Sequence, residues 1–173
     1  MDILILRLIH ILAGAFWVGA LFTNFLFIQP AVAGAGPSAG GFAYQLLHRR
    51  RFSMALLGAG GLTVVAGILL LVLTSNGLDP AALFATSRLG FTVGGVLAIL
   101  AYGLGSLYVF PRTRTVERVL GGVIAEGRPP TPDEQATLAR VGAESRRAGM
   151  LVLAGVGLAI AAMATARLWG LVI

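Results

Sequence analysis

Apolar residues in this chain fall into four long runs, separated by short polar or arginine-bearing segments. A helix needs about 20 apolar residues to cross the hydrocarbon of a bilayer. The first run, Ile3 to Ile28, has that length and is followed by Gln29-Pro30 and the glycine-rich stretch AVAGAGPSAGG. Proline lacks an N–H and disfavours helix at the residue before it, so the first helix is expected to stop there. The second run covers 52–73, between Arg49-Arg50-Arg51 and Ser75-Asn76-Gly77. Phe42, Leu46 and Arg49 share one stripe ahead of it, so its helix is expected to begin as early as Ser38. The third run covers 89–110 and the fourth 148–170, each flanked by arginine, with Leu168 to Ile173 as an apolar tail. This pattern predicts an all-α fold: an integral membrane four-helix bundle, up-down-up-down, forming a single membrane domain over 1–173.

The one long polar stretch, 112–147, keeps a helical rhythm. Val116, Val119, Leu120, Val123 and Ile124 recur at helical spacing, so the third helix is expected to run on past the membrane. Gly127-Arg128-Pro129-Pro130 ends it. Thr131-Pro132-Asp133-Glu134 then spells a capping box with proline at the first helical position, the signature of a new helix that continues through Leu138 and Val141 into the fourth span. The expected result is a helical hairpin over 112–147, extending into the cytoplasm roughly 20 Å beyond the membrane at about 1.5 Å per residue.

Composition agrees with lipid as the solvent. The chain is 57% hydrophobic and 12% charged, against about a quarter charged for an ordinary soluble domain. There is no cysteine among the 173 residues, which removes disulfides, thiolate metal sites and cysteine catalysis. The thirteen basic residues are all arginine. Ten of these (Arg49, Arg50, Arg51, Arg112, Arg114, Arg118, Arg128, Arg140, Arg146, Arg147) fall at one end of a four-span topology, and Arg7, Arg88 and Arg167 at the other. By the positive-inside rule the hairpin belongs in the cytoplasm and both termini outside, in a cell inner (plasma) membrane. Arginines that bracket apolar spans argue for orientation in a membrane and against nucleic-acid binding. Ala31-Val32-Ala33 resembles a cleavage site, but Asp2, the absence of a basic residue before the run and the run's length point to a retained span.

Small residues at small-xxx-small spacing mark faces where helices can approach closely. These are Ala59, Thr63 and Gly67 in the second span, Gly90 and Gly94 in the third, and Gly157 and Ala161 in the fourth. The same glycine-rich faces would serve a homo-oligomer or a membrane partner protein.

Leu8-Ile9-His10 followed by Gly14, Trp17, Val18, Gly19 and Ala20 resembles the first helix of the copper-resistance-D-like superfamily of bacterial four-helix integral membrane proteins. It is also similar to that of the HemJ-type protoporphyrinogen oxidases. Arg50-Arg51-Phe52 leading to Gly67-Ile68-Leu69-Leu70, and Tyr108-Val109-Phe110-Pro111-Arg112 closing the third span, fit the same layout. The resemblance implies a haem-linked or metal-linked membrane function, with His10 as the carried-over position.

The residues themselves leave two readings of His10 open. A neutral imidazole can ligate haem iron. Met163 lies one turn inside Arg167, so His10 and Met163 are expected at one depth on antiparallel helices. That arrangement permits one b-type haem near the outer leaflet, held by His10 alone or by His10 and Met163. Arg7, Arg88 or Arg167 would then lie near the propionates, and Trp17 would line the pocket or pack between helices. The plainer reading is an interfacial histidine bonded to a neighbouring backbone, with arginines snorkelling to the interface. His48, beside Arg49, Arg50 and Arg51, is expected on a rim facing anionic lipid headgroups. Asn24 is expected to hydrogen-bond across to another helix. With no carboxylate inside any span, an ion pump or proton-coupled transporter has little support. The functions in view are a redox or haem-handling membrane protein, an assembly subunit acting through its cytoplasmic hairpin, and, least, a metal or small-solute transporter.

Overall fold

The computed structural model describes residues 2–169. Helix α1 runs Ile3–Ala35, capped by the Asp2 carboxylate on the Leu4 amide. A short helix α2 (40–49) follows a 3-10 turn at Gly36–Ala39. Next come α3 (Phe52–Thr74), the single turn α4 (Pro80–Leu83), α5 (Thr86–Ala125) and α6 (Pro132–Leu168). Helices α1, α3, α5 and α6 are each long and apolar enough to cross a membrane, as in a multi-pass membrane protein. Their outward faces carry exposed large apolar side chains, among them Leu8, Leu12, Phe16, Leu62, Leu100 and Leu151. The expected end of the fourth span at 170, and the tail to Ile173, lie outside the described residues.

Two helix pairs make the bundle. In the first, α1 lies on α3, with His10 against Gly67, Gly14 against Thr63 and Trp17 against Gly60. In the second, α5 lies on α6, with Gly90 against Ala162 and Ala166, and Gly94 against Ala159 and Met163. A β-carbon at Gly94 would come 2.8 Å from the Ala159 carbonyl oxygen, so the contact is backbone on backbone. Glycine here supplies the close approach that stands in for the hydrophobic effect inside lipid. Gly157 and Ala161 are not in this seam: Gly157 meets open space and Ala161 is exposed. On α6 the seam runs through Ala159, Ala162 and Ala166 instead, all buried.

Aromatic side chains join the two pairs in the core. Trp17 meets Tyr102 of α5 edge-on, centroids 6.0 Å apart, in room left by Gly60, where a β-carbon would come within 2.8 Å of both rings. The Phe25 ring of α1 seats on Gly149 of α6. With Leu21, Val109, Val152 and Val156 these residues form the buried core.

Pro30 did not end its helix where the sequence suggested: α1 continues through it to Ala35. Helix α5 runs on through Pro111 to Ala125, as its helical rhythm predicted. Each proline is preceded by a π turn, Asn24–Ile28 in α1 and Gly105–Val109 in α5. The wide turn spares the clash between the proline ring and the carbonyl four residues back, and re-pairs the backbone groups it frees. The second helix, in turn, does not extend back to Ser38. It is separated from α2 by Arg50-Arg51, where Arg51 takes a left-handed φ of 49°. Helix α6 starts at its capping box: the Thr131 hydroxyl accepts from the Glu134 amide, and the Glu134 carboxylate from the Thr131 amide.

Candidate functional site

The residues singled out at the end holding the termini are spread over different seams. His10 lies on the inward stripe of α1 with Leu6, Trp17 and Leu21, and its Nδ1 is 2.8 Å from the Thr63 carbonyl oxygen of α3. A carbonyl only accepts, so Nδ1 donates, and in the neutral ring Nε2 keeps the lone pair. Gly67 makes room for this ring: a β-carbon there would stand 2.9 Å from His10 Cε1. The bond to backbone is what the plain interfacial reading expects. It is also the hydrogen bond that orients a metal-ligating histidine.

Met163 does not join His10 in one seam; its side chain packs into α5 at Gly94. Arg88 donates to the Thr74 carbonyl at the end of α3, and Arg167 is exposed in the closing 3-10 turn Ala166–Leu168. Among the described residues no group of three or more His, Asp or Glu side chains gathers as a metal site. For a haem, the donor set offers one oriented axial ligand in His10.

The open space lies toward the other end. A cavity of about 970 Å³ separates the two helix pairs over their arginine-rich halves. It reaches from Trp17, Leu21 and Tyr102 at mid-height to Arg128 and Pro129 at the hairpin turn. Both proline-linked π turns line it, through Asn24, Phe25 and Ile28 on one side and Gly105, Ser106 and Val109 on the other. Such turns widen a helix and recur at functional sites. Helix α2 closes one flank with Ala43, Leu46 and Leu47. Phe42, expected to share a stripe with Leu46, is exposed instead.

Few polar groups face this apolar space. Ser145 on α6 is buried, 6% exposed, and its hydroxyl has no hydrogen-bond partner among the described residues. Asn24 makes no side-chain bond to another helix, contrary to expectation; it lines the cavity. Tyr102 donates to the Leu57 carbonyl at 3.3 Å. No carboxylate is among the lining residues, whereas Arg128 and Arg146 are.

Helix α2 is fastened to α5 by an ion cluster. His48 Nδ1 lies 2.8 Å from Glu117 Oε1, and Arg114 holds the other oxygen of the same buried carboxylate at 2.8 Å. Tyr44 stacks on His48 at 4.9 Å and fits against Gly121. His48 is thus engaged within the chain, while Arg49, Arg50 and Arg51 are exposed. At the hairpin turn Arg128 pairs with Glu126 and Glu134. Its guanidinium, and next the Thr131 amide, hold the Glu134 carboxyl down at about 2 from an ordinary 4.5. Arg112 and, after it, Arg140 lower Glu144.

One signal in the sequence does mark the cavity. Leu26-Phe27-Ile28-Gln29-Pro30 and Leu107-Tyr108-Val109-Phe110-Pro111 share one spelling: leucine, aromatic, β-branched, any residue, proline. Arg7-Leu8 and Arg88-Leu89 precede these prolines by equal distances, and Arg50-Arg51 with Met54 match Arg146-Arg147 with Met150. At these positions the second helix pair repeats the spelling of the first. Under that match Phe91 replaces His10, and Met163 stands where the first pair has Gly67. No family model, curated protein or solved structure matches the chain.

Proposed function

We propose that this protein is a multi-pass membrane protein that binds an apolar or amphipathic small molecule between its two helix pairs. In this reading the bundle runs up-down-up-down in a cell inner membrane, with the ten-arginine end and the hairpin in the cytoplasm. The observation that carries it is the cavity of about 970 Å³, bounded by two widened turns, with Ser145 and its buried, unpartnered hydroxyl in the wall. Its size falls at the upper end of small-molecule sites, which are mostly apolar with a few placed polar groups. Its place between two internal repeats is also where membrane proteins built from repeats hold their ligands, an argument by analogy. The test is saturable binding of a neutral, environment-sensitive fluorescent probe to the detergent-purified protein. Ala143→Phe, which fills the cavity from α6, should abolish it; binding that survives this change removes the reading.

A second reading rests on one separate observation, the Thr63 carbonyl that fixes the His10 tautomer and leaves Nε2 with its lone pair. It assigns one b-type haem to His10 Nε2, with a redox or haem-handling role. Bound haem would supply one-electron chemistry. The chain's part is to orient the imidazole through Thr63 and Gly67. A Soret band lost in His10→Ala supports it, and a colourless protein after haem-replete expression ends it.

A further inference from the structure

We infer that the cavity is a site for one anionic acyl lipid taken from the surrounding leaflet, with its headgroup at Arg146 and Ser145 and its chains directed toward Trp17. This rests on the reading of the cavity as a ligand site and adds the ligand's chemistry.

Shape gives the first argument. Trp17 and Val32 both line the cavity and are fifteen residues apart on α1, so the space extends about 22 Å along the bundle at 1.5 Å per residue. A compact ring would leave most of that length unfilled, whereas extended hydrocarbon chains match both the length and the apolar walls.

Charge gives the second. All seven acids of the chain are outside the lining. Arg128 is already matched by Glu126 and Glu134, but Arg146 has no carboxylate partner among the described residues. An unmatched arginine beside an apolar chamber calls for an anionic head, which a guanidinium holds through paired N–H donors. Ser145, the residue before it, supplies the third argument. A buried hydroxyl without a partner costs stability; this one is also closed off from the cavity, and a turn about χ1 would bring it to a phosphate or glycerol oxygen at the wall, which supplies the missing bond.

The site's location agrees. It lies toward the end rich in arginine, where Arg49, Arg50 and Arg51 are exposed and anionic lipids collect by long-range attraction. That general attraction differs from a site: rim arginines act interchangeably, a site does not.

Native mass spectrometry of the full-length protein, equilibrated with mixed micelles of phosphatidylglycerol or phosphatidylcholine and then re-purified, tests the proposal. One phosphatidylglycerol per chain should be retained, preferred over phosphatidylcholine by about fivefold or more, as expected for roughly one favourable arginine contact. Arg146→Gln should erase that preference, and Ala143→Phe should expel the lipid. Arg118→Gln, on the neighbouring rim by His48 and outside the cavity, should leave retention unchanged. Equal loss in Arg118→Gln and Arg146→Gln would show a diffuse rim effect and overturn the site. Equal retention of both lipids, or retention of a free fatty acid in their place, overturns the anionic-lipid assignment even while the neutral probe still binds. Failure of the probe itself removes the cavity reading beneath it.

Discussion

The two ends of this bundle are built from similar residues and behave oppositely. Toward the termini, glycine and alanine bring helices into backbone contact: Gly90 lies against Ala162, and Gly94 against Ala159 and Met163. Toward the arginine-rich end the same helices part around a cavity. Small residues alone therefore do not close a membrane bundle. Prolines two residues beyond the π turns Asn24–Ile28 and Gly105–Val109 reshape α1 and α5, and these widened turns line the gap. The close-packed end holds its polar groups in fixed bonds, such as His10 to Thr63, while the open end leaves the Ser145 hydroxyl unmatched. One end is closed by packing and the other encloses open space.

The largest expected effect comes from closing the approach at the tight end. Gly90→Leu and Gly94→Leu force a side chain into the backbone of α6 and should destabilise the fold by about 1–3 kcal/mol or more. Thermal unfolding in detergent reads this, and an unchanged midpoint would show that the seam is looser than described. Next in size is Ser145→Ala at the open end. Removing a buried hydroxyl without a partner should raise the stability of the ligand-free protein by about 1 kcal/mol, while weakening lipid retention. A loss of stability would mean that the hydroxyl is already bonded. Pro111→Ala should let α5 regain a regular turn, and with it reduce probe binding without unfolding the protein. If binding is untouched, the widened turns are not what opens the cavity.

The smallest effect concerns pH at the hairpin turn. Glu134 is held at about 2 by Arg128 first and the Thr131 amide second, below its ordinary 4.5. A carboxylate lowered by folding adds stability that is complete above 4.5 and lost as pH falls toward 2. Hydrogen exchange over 126–138 should therefore stay constant from pH 7 to about 4.5, after correction for intrinsic rates, and protection should fall below that. Arg128→Gln should flatten this dependence.

Much of the architecture is legible in the sequence because lipid imposes length on apolar runs. The four long helices and the Thr131–Glu134 cap follow from run length and capping chemistry. The stop expected at Pro30 was misread for a physical reason. Inside a long apolar helix the neighbouring backbone can re-pair around proline through a π turn, and no local residue rule distinguishes that outcome from a stop. Trp17, expected to line a haem pocket or to pack between helices, fills the room left by Gly60 and lines the cavity at the other end from His10. Asn24, expected to reach another helix, sits in a π turn and lines the cavity. The cavity itself comes from two helix pairs meeting, and a linear pattern carries it only as the repeated Leu-aromatic-β-branched-x-Pro motif.

Trp17 offers the most direct test of the central claim that the space between the pairs receives a ligand at mid-membrane depth. With Trp169→Phe leaving Trp17 as the sole tryptophan, lipids brominated near the chain end should quench its fluorescence saturably, at one lipid per chain, and Ala143→Phe should prevent this. Quenching that grows without saturation and is the same in Ala143→Phe would show Trp17 reporting only the surrounding bilayer or detergent, and would contradict the account.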